Sequence, residues 1–173
     1  MALRTIRTLG DRILEKPCRK VEKITEKETA LIEDMLETMY ESHGVGLAAP
    51  QVGILKQIVV IDISGAEEET EEGTVTVEME PLILINPVIV ESEGEQTGNE
   101  GCLSVPGKVG TVTRPMRVKV EALDEELQPQ TVEGTGLLAR ALCHEIDHLQ
   151  GKLYTELAVG PLRSTEDDEE EEE

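Results

Sequence analysis

The sequence is nearly devoid of aromatic residues. Its 173 residues include no Phe or Trp and only two Tyr, at positions 40 and 154, although 38% of the chain is hydrophobic. Leu, Ile, Val and Met must therefore fill the interior, and a chain of this length can bury such a core without crosslinks. We expect one compact domain over residues 1–164 and a disordered acidic tail over residues 165–173.

Cysteine and long apolar runs are also scarce. Cys18, Cys102 and Cys143 are an odd set without the spacing of a disulfide framework, which predicts a reducing compartment and no disulfide. No run of about 18 apolar residues occurs, and the first residues lack the apolar core of a signal peptide. These absences predict a cytoplasmic protein that does not enter a membrane.

Positive charge is in short supply. The chain has 16 Lys and Arg against 37 Asp and Glu, and its net charge is -21. Residues 166–173 are all acidic and residues 67–80 hold seven further carboxylates, so two segments supply 15 of this excess. A protein of pI near 4.4 is repelled by phosphate backbones, which predicts no direct binding to nucleic acid.

Two helices are predicted from apolar spacing and capping residues. Thr25-Glu26-Lys27-Glu28 fits a capping box, and apolar residues at helical spacing extend a helix to about Ser42. A second helix is predicted from about Thr135 to Gly151, because a glycine just past the last periodic residue suits a C-terminal cap.

Strands are predicted between and after these helices. The β-branched run 58–63 is interpreted as a buried strand, preceded by a loop at 44–53. The acidic stretch 67–80 lacks an apolar period and is interpreted as a mobile loop, a possible hairpin tip, before the apolar run 82–90. Alternation over 112–123 predicts one exposed antiparallel strand with an edge or bulge at Pro115, and 127–132 is its candidate partner.

The second helix contains the pattern His144-Glu145-Ile146-Asp147-His148. Imidazoles at positions i and i+4 lie on one helix face and can hold one metal ion, while the intervening Glu can reach a water molecule. Most of the helix circumference is apolar; the polar strip is confined to Arg140, Cys143, Asp147 and Gln150. Such a helix is buried, and buried imidazoles need a partner that a metal supplies, so we favour a metal site over a solvated polar face.

A catalytic site of this kind needs a third protein ligand. The metzincin pattern fails because Tyr154 replaces its third His, and few residues follow His148 to supply a thermolysin-like Glu. Cys102, in Glu100-Gly101-Cys102-Leu103-Ser104, is the natural candidate, since a thiolate there can project from the end of a strand. Cys143 points about 100° away from His144, Cys18 lies in no motif, and His43 remains a weaker competitor.

The fold class follows from this pattern. We predict an α+β fold in which antiparallel strands pack around a buried metal-binding helix, with one further N-terminal helix. A metallopeptidase that cleaves ordinary amides stays open as an alternative, and so does a binding module with a structural metal. The latter needs a fourth ligand, for which the sequence offers no convincing candidate.

Three motifs together resemble the peptide deformylase family. They are Gly44-Val45-Gly46-Leu47-Ala48-Ala49-Pro50-Gln51, then Glu100-Gly101-Cys102-Leu103-Ser104, then the His144–His148 pattern, and the likeness covers residues 1 to about 157. The resemblance implies removal of the N-formyl group from the N-terminal methionine of new peptides, with release of formate. It also implies one divalent metal ion per chain, usually Fe(II), with Ni, Co or Zn as substitutes.

The resemblance also implies roles for individual residues. Cys102, His144 and His148 would hold the metal, Glu145 would act as general acid and base, and the Gln51 amide and Leu103 backbone N–H would stabilise the oxyanion. Because metal sites commonly need partners that orient their ligands, we expect Glu100 to orient the loop or a ligand, and Asp147 to hold a neighbouring His ring or to pair with Arg140. The residues implied to contact substrate, with Arg140 at the pocket mouth, are Val45, Gly46, Gly101, Leu137, Arg140 and Ala141.

Two features depart from the family pattern. Tyr154 stands where deformylases often have Phe, a change that leaves the site untouched. Some members carry a basic C-terminal helix that helps transient ribosome association, whereas residues 166–173 are acidic here, which argues against such docking. We interpret the tail as a feature that promotes solubility.

Overall fold

The computed structural model describes residues 2–165. The predicted acidic tail, apart from Thr165, lies outside the described residues. Two α-helices are present, α1 (Glu26–Glu41) and α2 (Leu137–Leu149), and three short 3-10 turns span Arg12–Glu15, Ala49–Val52 and Tyr154–Glu156. The strands are β1 (Gly46–Ala48), β2 (Ile58–Ile61), β3 (Glu67–Thr70), β4 (Gly73–Thr76), β5 (Leu82–Glu93), β6 (Gln96–Cys102), β7 (Val105–Arg114), β8 (Arg117–Leu123), β9 (Pro129–Thr135) and β10 (Val159–Ser164).

The strands form three antiparallel sheets. The largest has the order β1-β2-β5-β8-β9, a second has the order β10-β7-β6, and β3 pairs with β4 alone. Helix α2 packs its apolar side on the five-stranded sheet, in a core that includes Val59, Ile61, Leu84 and Val120. The predicted α+β class, with antiparallel strands around a buried helix and a second helix near the N-terminus, is confirmed.

Helix α1 begins where the capping box predicts. The Thr25 hydroxyl accepts a hydrogen bond from Lys27 N at 3.3 Å, and Glu28 Oε2 accepts one from Thr25 N at 2.9 Å. Each side chain thus satisfies a backbone N–H group that the first helical turn leaves unpaired. The apolar stripe of α1, which includes Leu31 and Met35, packs against the other face of the five-stranded sheet.

Helix α2 is buried, as predicted, on nearly all sides. Ten of its 13 residues are buried, and these include Arg140 and Cys143, so the prediction that both belong to a polar strip is wrong. Past its end, Gly151 adopts φ +76°, and a Cβ atom there would meet the carbonyl oxygen of Glu15. Within residues 2–165 neither helix is long and apolar enough to cross a membrane.

The prediction of one strand over 112–123 is wrong, because the chain changes sheets at Pro115. Strand β7 ends at Arg114 in the three-stranded sheet, and β8 begins at Arg117 between β5 and β9 in the larger sheet. Proline lacks the N–H group that a ladder needs, which ends β7 at this point. Strand β8 is central, with Val118 and Val120 fully buried.

Two predicted loops contain regular structure. Residues 44–53 hold strand β1 and the 3-10 turn Ala49–Val52, because the backbone of β1 pairs with buried β2. The acidic stretch 67–80 begins with the exposed β3–β4 hairpin, which closes at Gly73 with φ +117°. Hairpin pairing needs backbone hydrogen bonds rather than a buried face, so apolar periodicity gives no signal for it.

Candidate metal centre and catalytic site

The structure brings together the three predicted ligand residues. Strand β6 ends at Cys102, and α2 presents His144 and His148 one turn apart. The two Nε2 atoms lie 3.2 Å from each other, and Cys102 Sγ lies 3.3 Å from Nε2 of His148. All three ligand atoms fall within 4.8 Å of one another.

The donor set fits a divalent transition metal. Nδ1 of His144 lies 2.8 Å from Oε2 of Glu100. A carboxylate can only accept, so Nδ1 carries the proton and the Nε2 lone pair faces Cys102 and His148. Two imidazole nitrogens and one thiolate sulfur are ligands that zinc, iron and nickel accept.

A carboxylate oxygen completes this arrangement. Oε1 of Glu145 lies 3.9 Å from Nε2 of His144 and 3.8 Å from Nε2 of His148. It is buried and has no hydrogen-bond partner among the described residues. A buried polar oxygen without a partner is costly, and a ligand in the cluster would supply one.

Burial also changes the acidity of Glu145. Desolvation raises the pKa of its carboxyl to about 7. The side chain reaches this position because the facing backbone is glycine. A Cβ atom at Gly46 would lie 2.7 Å from Glu145 Oε2, so a side chain there would push the carboxylate away.

Glu100 connects the ligand helix to a buried ionic network. Arg114 donates to it through Nε at 3.0 Å and Nη2 at 2.6 Å, and Arg140 donates through Nη1 at 3.0 Å. Burial alone would raise the pKa of Glu100, but hydrogen bonds from His144 and Arg114 outweigh it and lower the pKa to about 2. Glu100 is therefore ionised, as its contact with His144 requires.

Asp147 takes a different partner from those expected. It accepts a hydrogen bond from Arg114 Nη1 at 2.6 Å and does not pair with Arg140 or a His ring. Arg140 donates inward, to Glu100 and to the carbonyl of Val112 at 3.1 Å. The reason is that α2 turns Asp147 toward β7, where Arg114 lies between it and Glu100.

Gln51 is fixed beside the cluster by the turn Ala49–Val52. Its Oε1 accepts a hydrogen bond from Ala48 N at 2.9 Å, which sets the orientation of the amide. Its Nε2 donates to Ser104 Oγ at 3.0 Å and lies 3.5 Å from Cys102 Sγ. The amide N–H groups therefore point into the site.

Comparison with known proteins agrees with this geometry. The sequence model of the family described as polypeptide deformylase matches residues 3–163. The chain belongs to this family. It is 58% identical over 174 residues to a peptide deformylase of Lachnoclostridium phytofermentans, with both chains fully covered. The resemblance inferred from the three motifs is confirmed.

Solved deformylase structures share the fold. A peptide deformylase from Legionella pneumophila is 44% identical with a TM-score of 0.81, covering 92% of this chain and 87% of that one. A peptide deformylase from Synechococcus elongatus in complex with actinonin is 42% identical with a TM-score of 0.79, covering 90% and 78% respectively. The match extends over nearly all the described residues.

Cys102 and His144 of this cluster, together with Glu145, line a cavity of about 520 Å³. This volume is in the range of small-molecule sites. His43 lines the cavity but is not part of the ligand cluster, and neither Cys18 nor Cys143 joins it. The six residues expected to contact substrate all line it: Val45, Gly46, Gly101, Leu137, Arg140 and Ala141.

Two residues that organise the site, Arg114 and Ser104, were not predicted from the sequence. Arg114 crosslinks Glu100 and Asp147, and Ser104 holds the Gln51 amide. Ser104 stands in the same motif as Cys102, which is a signal that could have identified it. Arg114-Pro115 lies outside the three motifs, although it belongs to the stretch that resembles the family, and an Arg before a Pro in an alternating strand is ordinarily exposed.

Proposed function

We propose that this chain removes the N-formyl group from the N-terminal methionine of newly synthesised peptides. Water cleaves the formamide C–N bond, and the products are formate and a free peptide amine. The observation that carries the proposal is the Cys102–His144–His148 cluster with Glu145 beside it, bordering a cavity in a member of the polypeptide deformylase family.

One divalent ion would be held by Cys102 Sγ and the Nε2 atoms of His144 and His148. When bound, such an ion supplies Lewis acidity, which makes water a stronger acid near neutral pH and polarises a carbonyl oxygen. We propose Fe(II) as the ion in the cell, with Ni, Co or Zn able to replace it. The three donors alone do not select among these metals.

Glu145 is proposed to carry the proton. Its Oε1 lies within 4 Å of both ligand nitrogens, so it reaches a water molecule placed between them and the formyl carbon. Oε1 accepts the proton from water and later donates it to the departing amine, so each turnover restores the carboxylate. Burial of the side chain, which is 2% exposed, keeps bulk water from competing.

Two donors are proposed to stabilise the oxygen that becomes negative as the formyl carbon turns tetrahedral. One is Gln51 Nε2, whose orientation the bond from Ala48 fixes before substrate arrives. The other is the backbone N–H of Leu103, next to Cys102 in the cavity wall. Donors held in place in advance stabilise the transition state without reorganisation.

The cavity walls support binding of an extended peptide that begins with methionine. Val45, Leu137 and Ala141 provide apolar surface for the methionine side chain. Strands β1 and β6, which include Gly46 and Gly101, are each at the edge of their sheet. An edge strand offers unpaired backbone groups to a peptide backbone.

We further propose that the enzyme works in the cytoplasm on newly synthesised formyl-methionyl peptides. The substrate is a nascent chain, which places the reaction where peptides are made. No contribution from nucleic acid or membrane is needed for the chemistry, and ribosome association is not part of the proposal.

The test is formate release from formyl-Met-Ala-Ser by protein loaded anaerobically with Fe(II), Ni(II) or Zn(II). Glu145→Gln should bind metal but lose activity by at least about 100-fold, and Cys102→Ala should lose both. Cys143→Ala is the matched control, because Cys143 is buried on α2 but outside the cluster. Incubation with unformylated Met-Ala-Ser tests whether ordinary amide bonds are cleaved, and competition by actinonin tests whether the reaction takes place at this site. Absence of formate release from folded, metal-loaded protein would refute the proposal.

A further inference from the structure

The cations of this acidic chain are concentrated near its start. Residues 2–27 hold eight of the 16 Lys and Arg residues and only four carboxylates, whereas the whole chain carries a charge of -21. A local excess of four positive charges produces a field opposite in sign to that of the rest of the protein. This surface can attract anions that the remainder repels.

A second cavity, of about 390 Å³, opens in this basic region. Four of its nine lining residues are cations, Arg4, Arg19, Lys27 and Lys56, although only 16 of 173 residues in the chain are Lys or Arg. Apolar side chains, including Leu31 and Ile54, form the rest of the wall. It shares no lining residue with the metal cavity.

The charges of this basic cavity are only partly neutralised. Arg4 Nε pairs with Asp34 at 2.9 Å, and Lys56 Nζ pairs with Glu28 at 2.7 Å. Within residues 2–165, Arg19 and Lys27 pair with no carboxylate, and both side chains are exposed. Four cations against two carboxylates leave a charge of about +2 for a ligand to match.

We propose that the basic cavity binds a phosphate monoester that carries a small apolar or aromatic group. A phosphate monoester bears a charge of about -1.5 to -2 near pH 7, which matches the unpaired charge of Arg19 and Lys27. Charged hydrogen bonds from these side chains suit phosphate oxygens. The apolar wall at Ile13 and Ile54 then takes the group attached to the phosphate.

The basic cavity is distinct from the metal cavity in which the reaction is proposed to occur. Its Gly53 and Ile54 follow directly on the turn Ala49–Val52 that holds Gln51, but no residue that lines it also lines the metal cavity. The proposal therefore does not depend on deformylase activity. It concerns binding alone, and binding is what the experiment measures.

The test is calorimetric titration of the metal-loaded protein with 1-naphthyl phosphate, with 1-naphthoate and neutral 1-naphthol as comparisons. Arg19→Gln combined with Lys27→Gln should weaken binding of the phosphate by at least about tenfold. Lys20→Gln combined with Lys23→Gln is the matched control, because both are exposed cations of the same segment outside the cavity. It should change binding less than about twofold.

The site at which 1-naphthyl phosphate binds is located by NMR of the methyl groups. Phosphate binding should shift the signals of Ile13 and Ile54 and leave those of Leu137, in the metal cavity, unchanged. Absence of saturable binding would overturn the proposal, and so would equal weakening by the two double variants or equal binding of 1-naphthol. Equal binding of 1-naphthoate would overturn the assignment to a phosphate. Thermal melts verify that both double variants are folded.

Discussion

Oε2 of Glu100 accepts a hydrogen bond from Nδ1 of His144 at 2.8 Å, and Arg114 donates two hydrogen bonds to the same carboxylate. Strands β6 and β7 and helix α2 thus meet at one buried ionic group. The orientation of His144, a proposed metal ligand, depends on contacts between residues that lie 14 and 44 positions from Glu100 along the chain.

Replacing Glu100 should weaken metal binding. Glu100→Gln removes the charge that holds the His144 ring, and loss of such a partner typically lowers metal affinity about 10–100-fold. The measurement is competition with a chelator of known affinity. Asp147→Asn is the control, because it contacts Arg114 but not His144, and an equal loss in that variant would contradict the role of Glu100.

Arg114 should contribute much more to stability than Arg117 does. Arg114→Met leaves Glu100 buried without its main cation, and breaking a buried pair in this way costs about 3–5 kcal/mol of unfolding free energy. Arg117→Met removes contacts with three carboxylates that are exposed and should have a much smaller effect. Denaturant unfolding of both variants gives the comparison, and similar losses would show that burial is not the deciding factor.

Gly46→Ala should lower the catalytic rate more than it lowers the stability of the fold. The added Cβ would lie 2.7 Å from Oε2 of Glu145, and displacement of a catalytic group by about 1 Å can cost about 100-fold in rate. We expect kcat for formyl-Met-Ala-Ser to fall by that order while metal content stays the same. Gly98→Ala is the control, since its nearest neighbour would be 3.5 Å away; equal activity of the two variants would contradict the prediction.

Stability should depend on pH through Glu28. Hydrogen bonds from Lys56 and Thr25 lower the pKa of this carboxyl from 4.5 to about 2. Because the folded-state pKa is the lower one, the contribution is complete above about pH 5 and is lost as pH falls toward 2. The destabilisation caused by Glu28→Gln, measured by urea unfolding, should therefore shrink between pH 6 and pH 3. Glu33→Gln, on the exposed side of α1, is the control for the loss of a helix carboxylate; a Glu28→Gln effect that stays constant over this pH range would contradict the prediction.

The parts of the fold that are local in sequence were predictable. The capping box at Thr25 and the glycine after α2 set helix ends through contacts within a few residues, and the structure has both. Strand β2 was predicted as a buried strand from its β-branched run, and all four of its residues are buried. Strand pairing was less predictable, because the partner of a strand is set by the topology of the fold and not by its neighbours in sequence. That is why the change of sheet at Pro115 and the pairing of β3 with β4 were not predicted, although the acidic stretch does connect the antiparallel strands β2 and β5 as a hairpin tip would.

The sequence by itself determined the family of this protein and the candidate residues for its chemistry. The spacing of His144, Glu145 and His148 places three functional groups on one helix because an α-helix repeats every 3.6 residues, and the three motifs indicated the family. Tertiary structure alone decided how Cys102 approaches the two imidazoles, which buried arginine neutralises Glu100, and that Asp147 pairs with Arg114. These contacts join distant segments, and their geometry depends on sheet pairing and helix packing, which no local pattern of residues specifies.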